Sequence, residues 1–344
     1  MCVMCGFIAE RGIQAADRLL EAGCRIEGLW SGVYTGLGVL GSDGVLRHHK
    51  VIGWSKYWKE KFTASSLEGS VGLFHSRTAG TGDERFAHPF FSKDGALILI
   101  SQGHAGFFSA YGARAAEIGS MLTDCGVRFD SAEKNMTTCK YPLLKDGSQV
   151  HVSEIVTEYA AWIYRRNGDP LEAVRRAASD IREAAVSLFI FRDRPGCIYA
   201  VNMNQRMALC RKEDGLWMAT CQLAFGEKSH RLLELPPCSA AEISLDSIRI
   251  IPLAEDLRAD SEVPAGAEEA FLRYVGEHPR TLLAYIANEA VGPLFPQDHT
   301  VQTVPVTYAI FEKLYYDGRI RLETEEQKGF FPGTTSLATF ISLK

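Results

Sequence analysis

Two cysteines near the start of the chain could each supply a thiol nucleophile. Cys2 and Cys5 are separated by two residues, and the chain of 344 residues holds nine cysteines. A zinc site would need a second ligand pair at suitable spacing, and the sequence has none. A redox pair would normally open a helix in a βαβ unit, whereas this pair leads into a short apolar run. We therefore expect no metal and no cofactor, and Cys5 is either a nucleophile or a buried strand residue.

The elements that must position these thiols are short strands and amphipathic helices. Three apolar runs predict buried strands: Cys5–Glu10, Val71–His75 and Ala96–Ser101. Three segments predict helices: Ile13–Cys24, Val156–Tyr164, and a helix that starts at Asp169-Pro170. More strands follow from Val186, while the polar residues 126–151 predict a long surface loop or insertion. Strands at both ends with helices between them predict a layered α+β domain with stacked sheets.

Composition and charge limit the class of protein. The net charge of -5 argues against a general nucleic-acid surface, which needs a basic excess. The sequence contains no run of about 18 apolar residues, so no membrane span is predicted. The first residues do not combine a basic segment with an apolar stretch, so we expect a protein of the cytosol that does not bind membranes.

The last segment of the chain has its own pattern. Residues 254–266 are acidic, contain Pro and Gly, and predict a linker. Three predicted helices and then two predicted strands follow: Ala267–Glu277, Arg280–Ala290, Val306–Tyr316, Arg319–Thr324 and Ser336–Leu343. This is the winged-helix order. Lys313 is the only basic residue of the third helix, which favours a docking or dimerisation module, with a homodimer as one arrangement, over DNA reading.

Five short motifs occur in the order and spacing of one enzyme family. Met4-Cys5-Gly6-Phe7-Ile8 resembles the opening of class II glutamine amidotransferases, which are N-terminal nucleophile (Ntn) hydrolases, and is most similar to the glutaminase domain of glucosamine phosphate synthase. The other four motifs are Gly72–Ala79, Ala87-His88-Pro89, Ile100-Ser101-Gln102-Gly103 and Ser153–Glu158. The resemblance covers residues 4–225. It implies a four-layer αββα Ntn-hydrolase sandwich over residues 1–253, the linker 254–266, and the winged-helix-like domain 267–344.

The resemblance also implies roles for single residues. Cys5 would be the catalytic thiol, with its α-amino group as the general base once that group is N-terminal. Gln102 and Gly103 would face the oxyanion. Arg77 would bind the carboxylate of glutamine or a related amide, with Thr78 and His88 in the same substrate site.

The chain also departs from the family at specific positions. Val156 stands where the family has the Asp that binds the substrate α-amino group, and Glu27 stands where it has an Arg. Four residues precede Cys5, so its amine is in a peptide bond unless the chain is processed or translation begins at Met4. Two functions therefore stay open. One is an amidohydrolase that passes ammonia to a synthase or acceptor subunit, and the other is a catalytically silent homologue that binds a ligand or docks a partner.

Overall fold

Two facing antiparallel sheets form the centre of the molecule. The computed structural model describes residues 2–78, 81–103, 113–137, 141–182, 185–228, 232–255, 257, 263–295 and 303–344. The first sheet has the order β13-β11-β12-β1-β4-β2-β3. Its strands are β1 Val3–Ala9, β2 Tyr34–Leu40, β3 Leu46–Ile52, β4 Val71–Arg77, β11 Ala208–Lys212, β12 Gly215–Ala219 and β13 Leu232–Glu234. The strand β1 therefore lies at the centre of this sheet, between β12 and β4.

The second sheet has the order β15-β14-β10-β9-β6-β5. Its strands are β5 Phe90–Phe91, β6 Leu97–Gly103, β9 Ala185–Phe191, β10 Cys197–Asn202, β14 Ser239–Ser244 and β15 Ile248–Pro252. Alternate residues of the two sheets point at each other and form a dry layer. Met4 and Leu73 of the first sheet and Ile98 and Leu188 of the second belong to this buried cluster.

Helices cover the outer faces of both sheets, so the molecule has the order helix, sheet, sheet, helix. The second sheet is covered by α3 Ala113–Asp124, α4 Val152–Asn167 and α5 Pro170–Ile181. The first sheet is covered by α1 Ala15–Trp30, with α2 Ser55–Lys61 beside it. The start of α5 agrees with the sequence, because Asp169 accepts a hydrogen bond from the Glu172 N–H and Pro170 occupies the first turn.

The C-terminal segment folds as three helical elements and a three-stranded sheet. The elements are α6 Ala267–Glu277, β16 Thr281–Leu282, α7 Leu283–Tyr285, α8 Thr303–Tyr316, β17 Ile320–Lys328 and β18 Thr335–Leu343. The helix expected over Arg280–Ala290 was wrong at its start, because Thr281 and Leu282 pair with Ile341 and Phe340 of β18. Helix α7 continues as a wider turn over Ile286–Val291.

The C-terminal segment packs on α1 of the same chain. Phe271, Tyr308 and Phe311 share one buried cluster with Leu19 and Ile26 of α1. The module expected to dock therefore covers the first sheet of its own chain, beside α1.

The described parts of the segment 126–151, residues 126–137 and 141–151, contain secondary structure that the sequence did not suggest. They hold the short strands β7 Glu133–Lys134 and β8 Ser148–Gln149. The carboxylate of Glu154 accepts hydrogen bonds from the backbone N–H groups of Asp130 and Ser131, which ties this segment to α4. Of the expected linker, residues 256 and 258–262 lie outside the described residues. Among the described helices, none has the length and apolar character that crossing a bilayer requires.

Candidate active site

The ends of three strands meet at one edge of the facing sheets. Met4 of β1 lies opposite His75 near the carboxyl end of β4. His75 reaches across to the second sheet, where its Nε2 lies 3.0 Å from the carbonyl oxygen of Ser101 on β6. The amino end of β1 therefore lies beside the carboxyl ends of β4 and β6. This edge brings together Cys2, Arg77 and the pair Gln102-Gly103.

Arg77 is the last residue of β4, and its half-buried guanidinium lies between aromatic rings. Its guanidinium donates hydrogen bonds of 2.5 Å to the carbonyl of Phe86 and to the hydroxyl of Tyr141. The guanidinium carbon lies 5.9 Å from the ring centroids of both Tyr34 and Tyr141. These contacts hold a permanent positive charge at the edge. Thr78 follows directly and is half-buried.

Three imidazoles are buried beside Arg77. The rings of His75 and His88 are 4.0 Å apart between centroids, and those of His88 and His151 are 5.4 Å apart. Burial, helped by the charge of Arg77, lowers the pKa of His75 to about 3. Burial and the neighbouring imidazoles hold the pKa of His88 well below its usual value. All three rings are therefore neutral at pH 7.

His88 has an unusual environment for a buried polar side chain. It is 3% exposed, and neither ring nitrogen has a hydrogen-bond partner in the part of the chain that the structure describes. Its backbone is held by a close approach to β2, because a Cβ at Gly36 would lie 1.8 Å from the His88 carbonyl oxygen. Two ring nitrogens thus stay available to a ligand.

Lys50 adds a second cation to the same cluster. Its ammonium lies 5.1 Å from the centroid of Phe90, and burial lowers the pKa of Lys50 to about 8. Lys50 and Arg77 together favour a ligand with an anionic group.

Gln102 and Gly103 end β6 at this edge. Gln102 is buried, and by strand alternation its side chain shares the inward face of Ile98 and Ile100. Its backbone pairs with Val186, and Gly103 pairs with Ala185. Residues 104–112 lie outside the described residues, so Gly103 is the last described position of this strand.

The structure does not bring Cys5 together with Arg77. Cys5 is fully buried in the middle of β1, opposite Phe74 and Ala219. Its thiol belongs to the cluster under α1, which is the outer face of the first sheet, whereas His75 points to the inner face. Burial raises the pKa of Cys5 above its usual value, and the charge of Arg25 on α1 only partly opposes this.

The family positions that differ in this chain have structural roles. Val156 packs against the apolar cluster under the outer helices. The carboxylate of Glu27 is buried and accepts hydrogen bonds from the Thr35 hydroxyl and the Ser55 N–H, and burial raises its pKa. Glu27 therefore ties α1 to β2 and α2 and does not take part in the site.

Two residues of the site were missed in the sequence. Tyr141 and His151 lie in the segment expected to be a surface loop, yet one binds Arg77 and the other stacks in the imidazole cluster. The one available signal was the position of His151 directly before a helix, where its Nδ1 accepts from the Ser153 N–H as an N-cap.

Comparison with known proteins gives sequence relatives that are named glutamine–fructose-6-phosphate aminotransferase. The chain is 22% identical over 284 residues to glutamine–fructose-6-phosphate aminotransferase (isomerizing) of Photorhabdus laumondii, covering 80% of this chain and 42% of the relative. It is 28% identical over 202 residues to the protein of the same name in Rhizobium meliloti, covering 57% of this chain and 28% of the relative. The chain thus spans less than half the length of these curated relatives. No protein-family model matches it.

Solved structures agree on the fold. The glutamine phosphoribosylpyrophosphate amidotransferase of B. subtilis, complexed with ADP and GMP, superposes with a TM-score of 0.57 at 13% identity, covering 90% of this chain and 63% of that one. An allosteric regulatory enzyme of purine biosynthesis gives a TM-score of 0.58 at 14% identity, covering 82% of this chain and 58% of that one. At such identities the likeness concerns the fold alone. Taken together, the sequence relatives and the fold confirm the resemblance of this chain to the class II glutamine amidotransferases, from which it diverges in sequence.

Proposed function

We propose that the chain is a thiol-dependent amidohydrolase of the class II amidotransferase type, which releases ammonia from the side-chain amide of glutamine or a close analogue. The observation that carries this proposal is the meeting of a thiol-bearing strand start, Arg77 and the end of β6 at one sheet edge. A carboxylate anchor and amide donors beside a thiol are the parts that acyl transfer needs.

The proposed reaction assigns a separate task to each group. The thiol attacks the amide carbon, and its proton passes through an α-amino group to the leaving nitrogen, so that ammonia departs and a thioester remains. Water then attacks the thioester, which releases the carboxylic acid and restores the thiol. Gln102 and the backbone N–H of Gly103 would donate hydrogen bonds to the oxyanion, and Arg77 would bind the substrate carboxylate. Thr78 and His88 would complete the substrate site.

The acceptor of ammonia is a further part of the proposal. The curated relatives are named as aminotransferases that act on fructose-6-phosphate, and the chain spans less than half of their length. We propose that a synthase or acceptor subunit takes the ammonia. We also propose that residues 267–344 form a winged-helix domain joined by the linker 254–266, since the element order and the pairing of β16 with β18 support that topology.

A catalytically silent ligand-binding protein is the second candidate. It is favoured by the burial of Cys5 and by Val156, an apolar residue where the family binds the substrate ammonium. Calorimetry with glutamine and glutamate, run beside an ammonia assay, separates the two functions. Tight binding without ammonia release would support the silent protein.

The contribution of Arg77 tests the proposed substrate orientation. Arg77→Lys keeps a positive charge but loses the planar fork, so we expect kcat/KM for glutamine to fall about 10- to 100-fold, mainly through KM. The exposed Arg85, two contacts of which are the carboxylates of Asp83 and Glu133, is the matched control, and Arg85→Lys should keep the wild-type KM. An unchanged KM in a folded Arg77→Lys protein would contradict this orientation.

A further inference from the structure

We infer that the substrate of the proposed amidohydrolase is a glutamine whose α-nitrogen is acylated by a dicarboxylic acid, so that it carries a second carboxylate and no ammonium. The inference rests on the proposed function and names the substrate class of that same site. It follows from the charged and polar groups that surround the imidazole cluster of His75, His88 and His151.

Lys50 and Arg77 approach the imidazole cluster through two different aromatic rings. The ring of Phe90 is 4.7 Å from that of His151 between centroids, and the Lys50 ammonium lies over Phe90. The ring of Tyr141 is 4.8 Å from that of His151, and its hydroxyl binds Arg77. The charges of both cations lower the pKa of His151. A ligand that contacts the imidazoles therefore lies in the field of two positive charges.

The carboxylates whose charge acts on Lys50 are held by other groups. They are Glu154, Asp130 and Glu84. Glu154 accepts backbone hydrogen bonds from the segment 126–151, and the other two pair with surface lysines. In the described ranges, no carboxylate lies within ion-pair distance of the Lys50 ammonium. With a pKa of about 8, this amine is still mostly protonated at pH 7 and can pair with an anionic group of a ligand.

The sequence adds no negative side chain next to the site. Residues 79–80, 104–112 and 138–140 adjoin residues of the site in the chain and lie outside the described residues. None of these segments contains Asp or Glu. An α-ammonium group beside the imidazoles would face Lys50 and Arg77 without a carboxylate to pair with, and like charges in a binding site oppose binding. An acylated α-nitrogen carries no charge and avoids this repulsion.

His88 offers hydrogen bonds to the acyl group. Neither of its buried ring nitrogens has a partner in the described part of the chain. A neutral imidazole has one N–H donor and one acceptor nitrogen, so it can donate to the carbonyl of an acyl group but not to an ammonium. An extended succinyl group places its carboxylate about 5 Å beyond the α-nitrogen. The rings of His88 and His151 are 5.4 Å apart, so this carboxylate would pass the imidazoles and meet Lys50.

The reaction on such a substrate is the hydrolysis already proposed. Water is the co-reactant, the carbon–nitrogen bond of the side-chain amide breaks, and ammonia leaves. The acyl group stays on the α-nitrogen, so the second product is an N-acylated glutamate.

The test compares glutamine, N-acetylglutamine and N-succinylglutamine as substrates of the purified protein. Ammonia release gives kcat/KM for each amide, and calorimetry gives each affinity. We expect kcat/KM for N-succinylglutamine to exceed that for N-acetylglutamine by about 10- to 100-fold, because the added carboxylate would pair with Lys50. We also expect N-acetylglutamine to exceed glutamine, because the acyl group removes the ammonium charge.

Variants of Lys50 show whether this lysine sets the preference. The preference for the succinyl over the acetyl substrate should disappear in Lys50→Met and be largely kept in Lys50→Arg, which retains the charge. A merely structural defect would lower both kcat/KM values and leave their ratio unchanged. The exposed Lys61, which pairs with Glu84, is the matched control, and Lys61→Met should keep the wild-type ratio. An unchanged ratio in a folded Lys50→Met protein would overturn the inference.

The remaining outcomes separate the substrate class from the proposed function. Glutamine as the best of the three substrates would overturn the inference and leave the proposed function standing. Tight binding of N-succinylglutamine without ammonia release from any of the three amides would support the ligand class and overturn the hydrolysis. Neither binding nor ammonia release with any of them would overturn both.

Discussion

At the scale of single residues, His88 stands out because both nitrogens of its buried imidazole lack a hydrogen-bond partner in the described part of the chain. A buried polar group without a partner costs free energy, which the packing of Phe90 and His151 around the ring and the close approach of β2 at Gly36 must offset. The same burial keeps the three imidazoles of the cluster neutral. The cluster therefore links the stability of this edge to pH.

We predict that the protein loses stability as the pH falls below 6.5, and that His88→Phe weakens this dependence. The unfolded chain takes up a proton at each imidazole near pH 6.5, whereas in the folded state the buried rings resist protonation, with a pKa of about 3 for His75. For each imidazole, the free energy of unfolding then falls by about 1.4 kcal/mol per pH unit, from the pKa of the unfolded state down to the pKa of the folded state. Urea unfolding at several pH values measures the slope, which should fall by about that amount in His88→Phe.

The exposed His278 at the end of α6 provides the control for this prediction. His278→Phe should keep the wild-type slope, because solvent reaches this imidazole in the folded protein. An equal change of slope in both variants would show that the buried cluster is not the source of the pH dependence.

The sequence predicted strands that end at His75 and Ser101, with Arg77, Gln102 and Gly103 just beyond them, and the structure extends both strands to include these residues. It did not predict the face on which Cys5 lies. Every residue of β1 is buried, so the run Val3–Ala9 has no alternation that marks an inner and an outer side. The partner strands β4 and β12 decide the face, and they are distant in the chain. Tyr141 was missed for a similar reason, since it binds Arg77, which is 64 residues earlier in the chain.

At the scale of elements, α8 joins the C-terminal segment to the first sheet through a buried ion pair. The carboxylate of Glu312 lies 2.8 Å from the guanidinium of Arg206 and also accepts the Gln222 N–H at 2.7 Å. Both charged side chains are almost fully buried. An ion pair of this kind adds little net stability compared with an apolar contact. Arg206 also binds the exposed carboxylate of Glu234 at 2.6 Å, so the removal of Glu312 leaves its buried charge only partly compensated.

We predict that Glu312→Ala lowers the free energy of unfolding by about 3 kcal/mol, the lower end of the cost of breaking a buried pair, because Arg206 keeps a buried charge beside α8 and retains only the exposed Glu234 as its partner. The neighbouring Lys313 pairs with Glu268 on the surface, and Lys313→Ala should cost about 0–1 kcal/mol. Both variants introduce alanine at adjacent positions of α8, so a difference between their unfolding free energies does not come from helix propensity. Denaturant unfolding measures both values, and equal costs would contradict a docking role for Glu312.

Whether a segment forms a helix or a strand was predictable where the signal is local. It was not predictable where pairing with a distant strand determines the structure. Asp169 and Pro170 marked the start of α5 because an N-cap is a local hydrogen bond. The strand Thr281–Leu282 was expected to be helical, because its only strand contacts are with Phe340 and Ile341. The segment 126–151 was predicted to be a loop because its strands β7 and β8 have only two residues each, which is too short to give a periodic pattern.

At the scale of the whole molecule, the C-terminal segment and α1 form one layer over the first sheet. Trp54, directly before α2, and Tyr57 within α2 bind the side chain of Thr335 at the start of β18. Gly28 of α1 lies directly under β18, because a Cβ at that position would be 2.4 Å from the Thr339 hydroxyl. The stacked sheets were predictable from the apolar runs, whereas this packing was not, since neither segment carries a local signal for the other.

Packing across this layer predicts opposite effects for two glycine-to-alanine changes in helices. In an exposed helix such a change stabilises by about 0.5–1 kcal/mol. We expect this gain for Gly276→Ala in α6, where the new Cβ would meet Leu343 at an ordinary 3.5 Å. We expect a loss of about 1–3 kcal/mol for Gly28→Ala, because β18 must move away from α1.

Denaturant unfolding followed by both circular dichroism and tryptophan fluorescence measures these changes. The two signals should coincide, because α1 and the C-terminal segment share one buried cluster. A stabilised Gly28→Ala protein, or a C-terminal segment that unfolds in an earlier separate transition, would contradict a single layer built from both ends of the chain.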